Sequence, residues 1–319
     1  MTNIHRKSAV IFLGNGFDVA MGYKTKYSDF YSSNEFKELI NSNELTKYIQ
    51  ECNQKTQKEK LWKDLESGLF DFAKNECLFH YAGSDSDCAN DFEKDFKELR
   101  TALFKYLNRV QEHPVNVSAN AVAGLTQQWI RLEWQIVSFN YITVDLASFT
   151  HYMKILNADD TINHSKFIYQ HGNLYNTSTA KNNPPESIVL GIDETQEVSK
   201  KYDFLYKNQN PNRYNIKELI DYVKGKDVII IYGCSMGQSD TIYFKQIFQM
   251  EQKTFIIYCY SKSDIGNVKS RIRELCGSYD GFELRNNVYL IQLTDDNSYP
   301  IDRTIVETKT KNIIDKLLQ

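Results

Sequence analysis

The sequence predicts a Rossmann-like α/β fold: a mostly parallel sheet with helices on both faces and a helical insertion after the first strand. Three observations predict it. Short runs of consecutive β-branched and apolar residues, such as "DVIIIYG" and "TFIIYC", suit strands buried on both faces of a parallel sheet. Helical stretches alternate with several of these runs in the second half of the chain. Between the first run and the second, from Tyr27 to Leu125, no convincing strand interrupts a helical texture.

The first strand is "AVIFL", from Ala9, and it passes straight into Gly14-Asn15-Gly16. Three stretches then read as helical: "SDFYSSNEFKELINSNELTKYIQEC", "KLWKDLESGLFDFAKNECLF" and "DFEKDFKELRTALFKYLNRVQE". In the third, Phe92, Phe96, Leu99, Leu103 and Leu107 fall near helical spacing, so one apolar stripe packs inward. "HYAGSDSDCAND" reads as a polar loop, and "EHPVNVSANAVAG" ends the helical region with a proline and small residues. From Trp134 the predicted strands are "WQIVSFNY", "KFIYQHG", "SIVLGID", "DVIIIYGCS", "TFIIYCYS" and "NVYLIQL"; the helices between them include "VDLASFTHYMKIL", "TIYFKQIFQM" and "NVKSRIRELC". The first strand is expected to join this sheet across the insertion. That gives one domain from residues 1–26 and 129–319, and an insertion of residues 27–128.

Composition excludes several classes. With 319 residues, 41% hydrophobic and 25% charged, the chain can bury a substantial core. A formal net charge of -3 leaves no basic footprint, so nucleic acid is a poor partner. No apolar run approaches the roughly 20 residues of a membrane span, and Gly-Asn-Gly-Phe-Asp follows the first run where a signal peptide would need a cleavage site. A cytoplasmic protein is expected. Cys52, Cys77, Cys88, Cys234, Cys259 and Cys276 are scattered, without zinc spacing, and are read as small hydrophobes; no metal is expected.

The glycines at the end of the first strand pose the functional question. A glycine pair there lets backbone N–H groups face an anion, although Val19 breaks the ordinary dinucleotide fingerprint. Other predicted strands also end in polar residues and glycines: Asn140 in "VSFNY", His171-Gly172 in "FIYQHG", and Gly233, Ser235 and Asp240 in "YGCSMGQSD". In a parallel sheet all of these lie at the carboxyl edge, where open α/β folds bind ligands. Each also has a plain structural use. His171 could satisfy a carbonyl, Asn140 could cap a helix, Asp18 could favour a helix N-terminus, and Ser235 could begin the next helix.

In this order, Gly-Asn-Gly-Phe-Asp, Phe-Asn-Tyr, His-Gly and Gly-x-Ser-x-x-x-x-Asp, the residues resemble the AbiH family of bacteriophage abortive-infection proteins, itself similar to SIR2-like NAD-consuming domains. "GYKTKYSDF" and "LWKDLE" extend the resemblance into the insertion. The resemblance implies a loop of Gly14 and Gly16 over the NAD pyrophosphate, Asn140 beside the nicotinamide ribose, and His171 as the catalytic histidine. It places Gly233 and Ser235 in the late loop that receives the adenosine half, and includes Asp18 and Asp240 in its pattern. The four-cysteine zinc module of sirtuin deacetylases is missing from the sequence, which argues against peptide deacetylation.

Chemistry fits this reading. Breaking the N-glycosidic bond of NAD+ needs no general acid, because the pyridinium leaves as neutral nicotinamide. It needs a held ribose, a placed water and a base, for which a histidine with a reference pKa of about 6.5 is suited. Asn140 offers both a donor and an acceptor, and backbone N–H groups from Gly14 through Asn15 and Gly16 to Phe17 would hold the pyrophosphate without arginine. Gly172 would let the chain pass close to the ligand. The leading expectation is an antiphage effector that hydrolyses NAD+ to nicotinamide and ADP-ribose, with NAD as substrate. The alternatives are a non-catalytic nucleotide sensor of the same fold and an enzyme acting on another nucleotide. A homo-oligomer or a partner protein of a defence system is the expected company.

Overall fold

The computed structural model describes residues 7–59, 65–76, 80–81, 84–112, 122–142, 167–176, 181–295 and 300–319. Its centre is a six-stranded sheet of β1 (Ser8–Leu13), β2 (Glu133–Ser138), β3 (Phe167–Tyr169), β6 (Val228–Tyr232), β7 (Thr254–Cys259) and β8 (Asn287–Gln292). The strands run parallel in the order β3-β2-β1-β6-β7-β8, so β1 does join the sheet across the helical region. A two-residue hairpin, β4 (Tyr175–Asn176) with β5 (Lys181–Asn182), stands apart.

The contiguous apolar runs are buried as such runs require: Ala9 through Leu13 and Val228 through Tyr232 are all inaccessible. Alternate residues serve opposite faces. Val10, Phe12, Ile229 and Ile257 pack against α8 (Ile216–Lys224), α9 (Thr241–Phe248), α10 (Lys262–Cys276) and α11 (Tyr279–Arg285) through Leu219, Phe244, Ile272 and Phe282. Ile11, Leu13, Ile230 and Ile256 pack on the other side against α7 (Ala123–Trp129) and α12 (Arg303–Leu317), through Trp129 and Ile314. The fold is therefore a doubly wound α/β sheet, and its order reverses between β1 and β6, the place where such sheets bind ligands.

Short α1 (Asn15–Ala20) follows β1, and the helices between α1 and α7 build a second core. These are α2 (Tyr27–Tyr31), α3 (Asn34–Leu39), α4 (Glu44–Glu59), α5 (Leu65–Asp71) and the long α6 (Asp85–Gln111). The Phe92, Phe96, Leu99, Leu103 and Leu107 stripe of α6 faces Phe30, Phe36, Leu69 and Phe72. The same cluster takes in Ile188, Leu190, Ile192, Tyr202 and Leu205 from the chain beyond β3, which ties the helical layer to the carboxyl edge of the sheet.

Two expectations change. "SIVLGID" is no strand of the sheet: its apolar residues are buried, but Gly191 at φ +153° turns the chain, and Ile192 N–H donates to Leu205. The predicted polar loop "HYAGSDSDCAND" turns helical at Asp85, because Ser84 and Asp87 form a reciprocal capping box that starts α6. The first helical stretch is three helices, with Ser33 capping α3 and Asn43 Oδ1 accepting from Thr46 N–H at the start of α4. "VDLASFTHYMKIL" and residues 113–121 of "EHPVNVSANAVAG" lie outside the described residues. Among the described residues no helix is long and apolar enough to cross a membrane. No disulfide joins two described cysteines, and no group of three or more His, Cys, Asp or Glu that could hold a metal ion occurs among the described residues.

Candidate functional site

At the reversal point the two loops touch. A Cβ on Gly14 would stand 2.5 Å from Cys234 Cα, and one on Gly16 would stand 2.6 Å from Gly233 Cα. Gly233 itself sits at φ +68°, a conformation that only glycine adopts freely. The glycines thus let backbone meet backbone. Gly14 N–H donates to Tyr232 O and Gly16 N–H to Gly233 O, both at 2.9 Å, and Phe17 N–H donates to Gly14 O at 2.8 Å. Three of the four amides expected to cradle a pyrophosphate are therefore engaged by protein carbonyls. The Asn15 side chain is turned to Thr25, whose hydroxyl donates to Asn15 Oδ1 at 2.5 Å.

Just beyond the turn, Asp18 and Asn140 form a buried pair. Asn140 Nδ2 donates to Asp18 Oδ1 at 2.9 Å and to Gly14 O at 3.0 Å, so the residue after β2 bolts the β1 turn in place. Asn140 N–H donates to Ser138 Oγ at 3.1 Å. Burial pushes the Asp18 carboxyl well above the ordinary carboxylate range, against the Asn140 hydrogen bond that favours the charged form. Asp18 is thus biased toward the neutral acid, a group able to donate as well as accept.

The second half of the site is charged. His171 follows β3 and is fixed by its neighbour Gly172, at φ +73°, where a Cβ would stand 1.7 Å from Ser187 O. The imidazole lies between the rings of Phe139, at 5.3 Å, and Tyr141, at 6.2 Å. Its Nε2 stands 3.2 Å from Asp240 Oδ1. Lys207 Nζ approaches from the chain that follows "SIVLGID", 3.4 Å from both His171 Nε2 and Asp240 Oδ1, and 2.9 Å from Glu66 Oε1 on α5. Lys207 is completely buried.

Electrostatics sort these groups. Burial, and then the Lys207 charge, push His171 down to about 4, so the imidazole is neutral near pH 7. This corrects the expectation of a base near its reference value. Burial alone would discharge Lys207, but Glu66 and Asp240 outweigh it and hold the ammonium charged. Burial would likewise raise Asp240, yet Lys207 and His171 hold it far below the usual carboxylate range. Behind His171, Gln170 Nε2 and Arg213 Nε each donate to Tyr243 Oη at 2.7 Å, and Arg213 pairs with Glu194.

The expected residues thus fall into three groups. Gly14, Gly16 and Gly233 close the reversal point, Asp18 joins Asn140, and His171 joins Asp240 beside Gly172. Ser235 is exposed on the late loop and begins no helix; that loop is held by Arg271, whose Nε donates to Met236 O at 2.8 Å and whose Nη2 donates to Gly237 O at 3.2 Å. Sequence reasoning missed Lys207 and Glu66. Glu66 closes the quoted segment "LWKDLE", which was a usable signal, whereas nothing in "FLYKNQNPNRY" distinguishes Lys207.

With the strand ends gathered at one edge, the comparison with known families is decisive. The profile of the bacteriophage abortive infection AbiH family matches residues 10–260, from β1 to just past β7. The chain belongs to the AbiH family. The matched span takes in every residue of both halves of the site and Glu66 of the helical layer, and AbiH membership puts the chain in bacteriophage abortive infection. No curated protein matches this AbiH chain.

Proposed function

We propose that this AbiH chain acts in abortive infection as a SIR2-like NAD+ glycohydrolase, releasing nicotinamide and ADP-ribose. The observation that supports it is the pairing at the carboxyl edge of a neutral His171, oriented by Asp240, beside an Asn140–Asp18 pair next to the strand-order reversal. In this reading the C1′–N bond of the nicotinamide ribose breaks, and its electron pair stays on the nitrogen of neutral nicotinamide. Water supplies oxygen to C1′ and gives its proton to His171 Nδ1, because Nε2–H is held by Asp240. Asn140 and neutral Asp18 would hold ribose hydroxyls, where a carboxylate beside the phosphates would repel them. A low-pKa imidazole is a weak base, but an oxocarbenium-like transition state asks little of it.

A second reading has its own observation. The amides of Gly14, Gly16 and Phe17 already donate to carbonyls, as suits a fold that binds a nucleotide elsewhere on this edge, or senses one without turnover. Isothermal titration with NAD+ and a nicotinamide-release assay on the same preparation separate the two. The hydrolase reading expects binding with turnover and a fall of cellular NAD+ during infection. Binding without nicotinamide release would replace it with the sensor, and a different metabolite consumed in a mass-spectrometric screen would replace NAD.

A further inference from the structure

Glu66 and Lys207 come from different layers, the helical insertion and the chain beyond β3, yet their charged ends meet at 2.9 Å beneath the protein surface. A buried ammonium costs several kcal/mol to desolvate, on the order repaid only by well-placed partners. Here it has two carboxylates, Glu66 and Asp240, and it also lies beside His171 Nε2. The charged groups that act most on His171 are Lys207, Asp240 and Arg213; Glu66 is not among them. The rings of Phe139 and Tyr141 lie 5.3 Å and 6.2 Å from the imidazole.

Geometry also selects the tautomer. Nε2 lies closer to Asp240 Oδ1, at 3.2 Å, than to Lys207 Nζ, at 3.4 Å, and the ammonium has two carboxylates to donate to. Nε2 therefore keeps its proton for Asp240, and Nδ1 carries the lone pair. We propose that Lys207 is a positioning residue that keeps His171 neutral while Asp240 holds the Nε2–H, and that Glu66 gives the helical insertion control over His171 through Lys207. The tie to catalysis rests on the reading of His171 as the base; the tie between the three residues does not. An insertion that shifts α5 would withdraw Glu66 from Lys207 and so change the histidine without touching it.

The test is ¹⁵N-histidine NMR of the full chain, following the ring nitrogens of His171 against pH. The expected wild-type signature is Nε2–H, neutral into the acid range. Lys207→Met removes the neighbouring positive charge, so the titration should rise by roughly one to three units, the usual effect of one charge at this range; Lys207→Arg should keep it low. Glu66→Gln should move the titration when Lys207 is present and leave it unmoved in the Lys207→Met background, the non-additivity of a pair acting in series. Should Lys207→Met fail to fold, the paired Glu66→Met, Lys207→Met variant removes both buried charges together and should show the same upward move. An unmoved His171 titration in either folded variant overturns the proposal, as does an equal Glu66→Gln shift in both backgrounds. A moved titration in a protein that releases no nicotinamide would sink the hydrolase reading and leave this coupling in place.

Discussion

The two halves of the site are built by opposite means. Around Asp18 and Asn140 the structure spends hydrogen bonds on its own backbone: one amide nitrogen serves both Asp18 Oδ1 and Gly14 O, and the buried carboxyl is pushed toward neutrality. Around His171 it gathers full charges, with Lys207 and Asp240 holding one another ionised and Glu66 adding to the hold on Lys207. The first half is organised by the adjacent strands β1 and β2, the second by side chains brought from the helical layer and from the chain beyond β3 and β6. The difference teaches that a strand-end polar residue can be structural and site-forming at once, whereas a buried charge cluster has little purely structural reason to exist, since apolar packing would stabilise the fold at least as well.

The largest expected effect breaks the scaffold beneath the charged half. Gly172→Ala places a Cβ against Ser187 O at 1.7 Å in a positive-φ conformation, and should abolish cooperative folding or lower the thermal midpoint drastically. A near-wild-type melting curve would show that the His171 turn is not held as described. Gly16→Val should likewise destabilise, because its side chain meets the Gly233 backbone, and so cannot serve as a clean binding variant.

Next comes Asn140→Ala. It strands the buried Asp18 Oδ1, at about 1–3 kcal/mol, and leaves Gly14 O with the Phe17 N–H alone, so stability and turnover should fall together. Loss of turnover at an unchanged unfolding free energy in denaturant melts would assign Asn140 to the ligand alone.

How much of this was legible in the sequence follows from what a sequence pattern can report. Contiguous runs such as "DVIIIY" gave the buried parallel strands because burial on both faces leaves no alternation. "SIVLGID" carried the same texture, since a run reports burial and not pairing, and its Gly191 turn left no other mark. Asn140, His171 and Asp240 were found because strand ends converge at one edge by topology. Lys207 was hidden: its partner Glu66 lies on another layer, and no local spacing encodes a contact of that range.

Smaller effects sharpen the contrast. Asp18 has a raised folded pKa, so the folded state holds its proton longer than the unfolded one, and Asp18 stability is lost as pH rises from the unfolded value, about 3.9, through the folded one. Asp18→Asn keeps an acceptor for Asn140 and should flatten that part of the stability profile, gaining on wild type as pH rises; parallel profiles in pH-dependent denaturant melts would contradict the neutral acid. Smallest is Ser235→Ala. The residue is exposed, and its removal should change stability by no more than about 0.5 kcal/mol. A larger loss would mean that the late loop carries structure it does not show.

The most direct test of the charged half as the chemical half is His171→Ala, with thermal midpoint and nicotinamide release measured on one preparation. The expected result is a stably folded protein that binds NAD+ nearly as before and turns it over roughly 10²–10⁴-fold more slowly, the loss typical of a positioned acid–base group. Full turnover in that folded variant would contradict the assignment of His171 and pass the role of base to another residue at this edge.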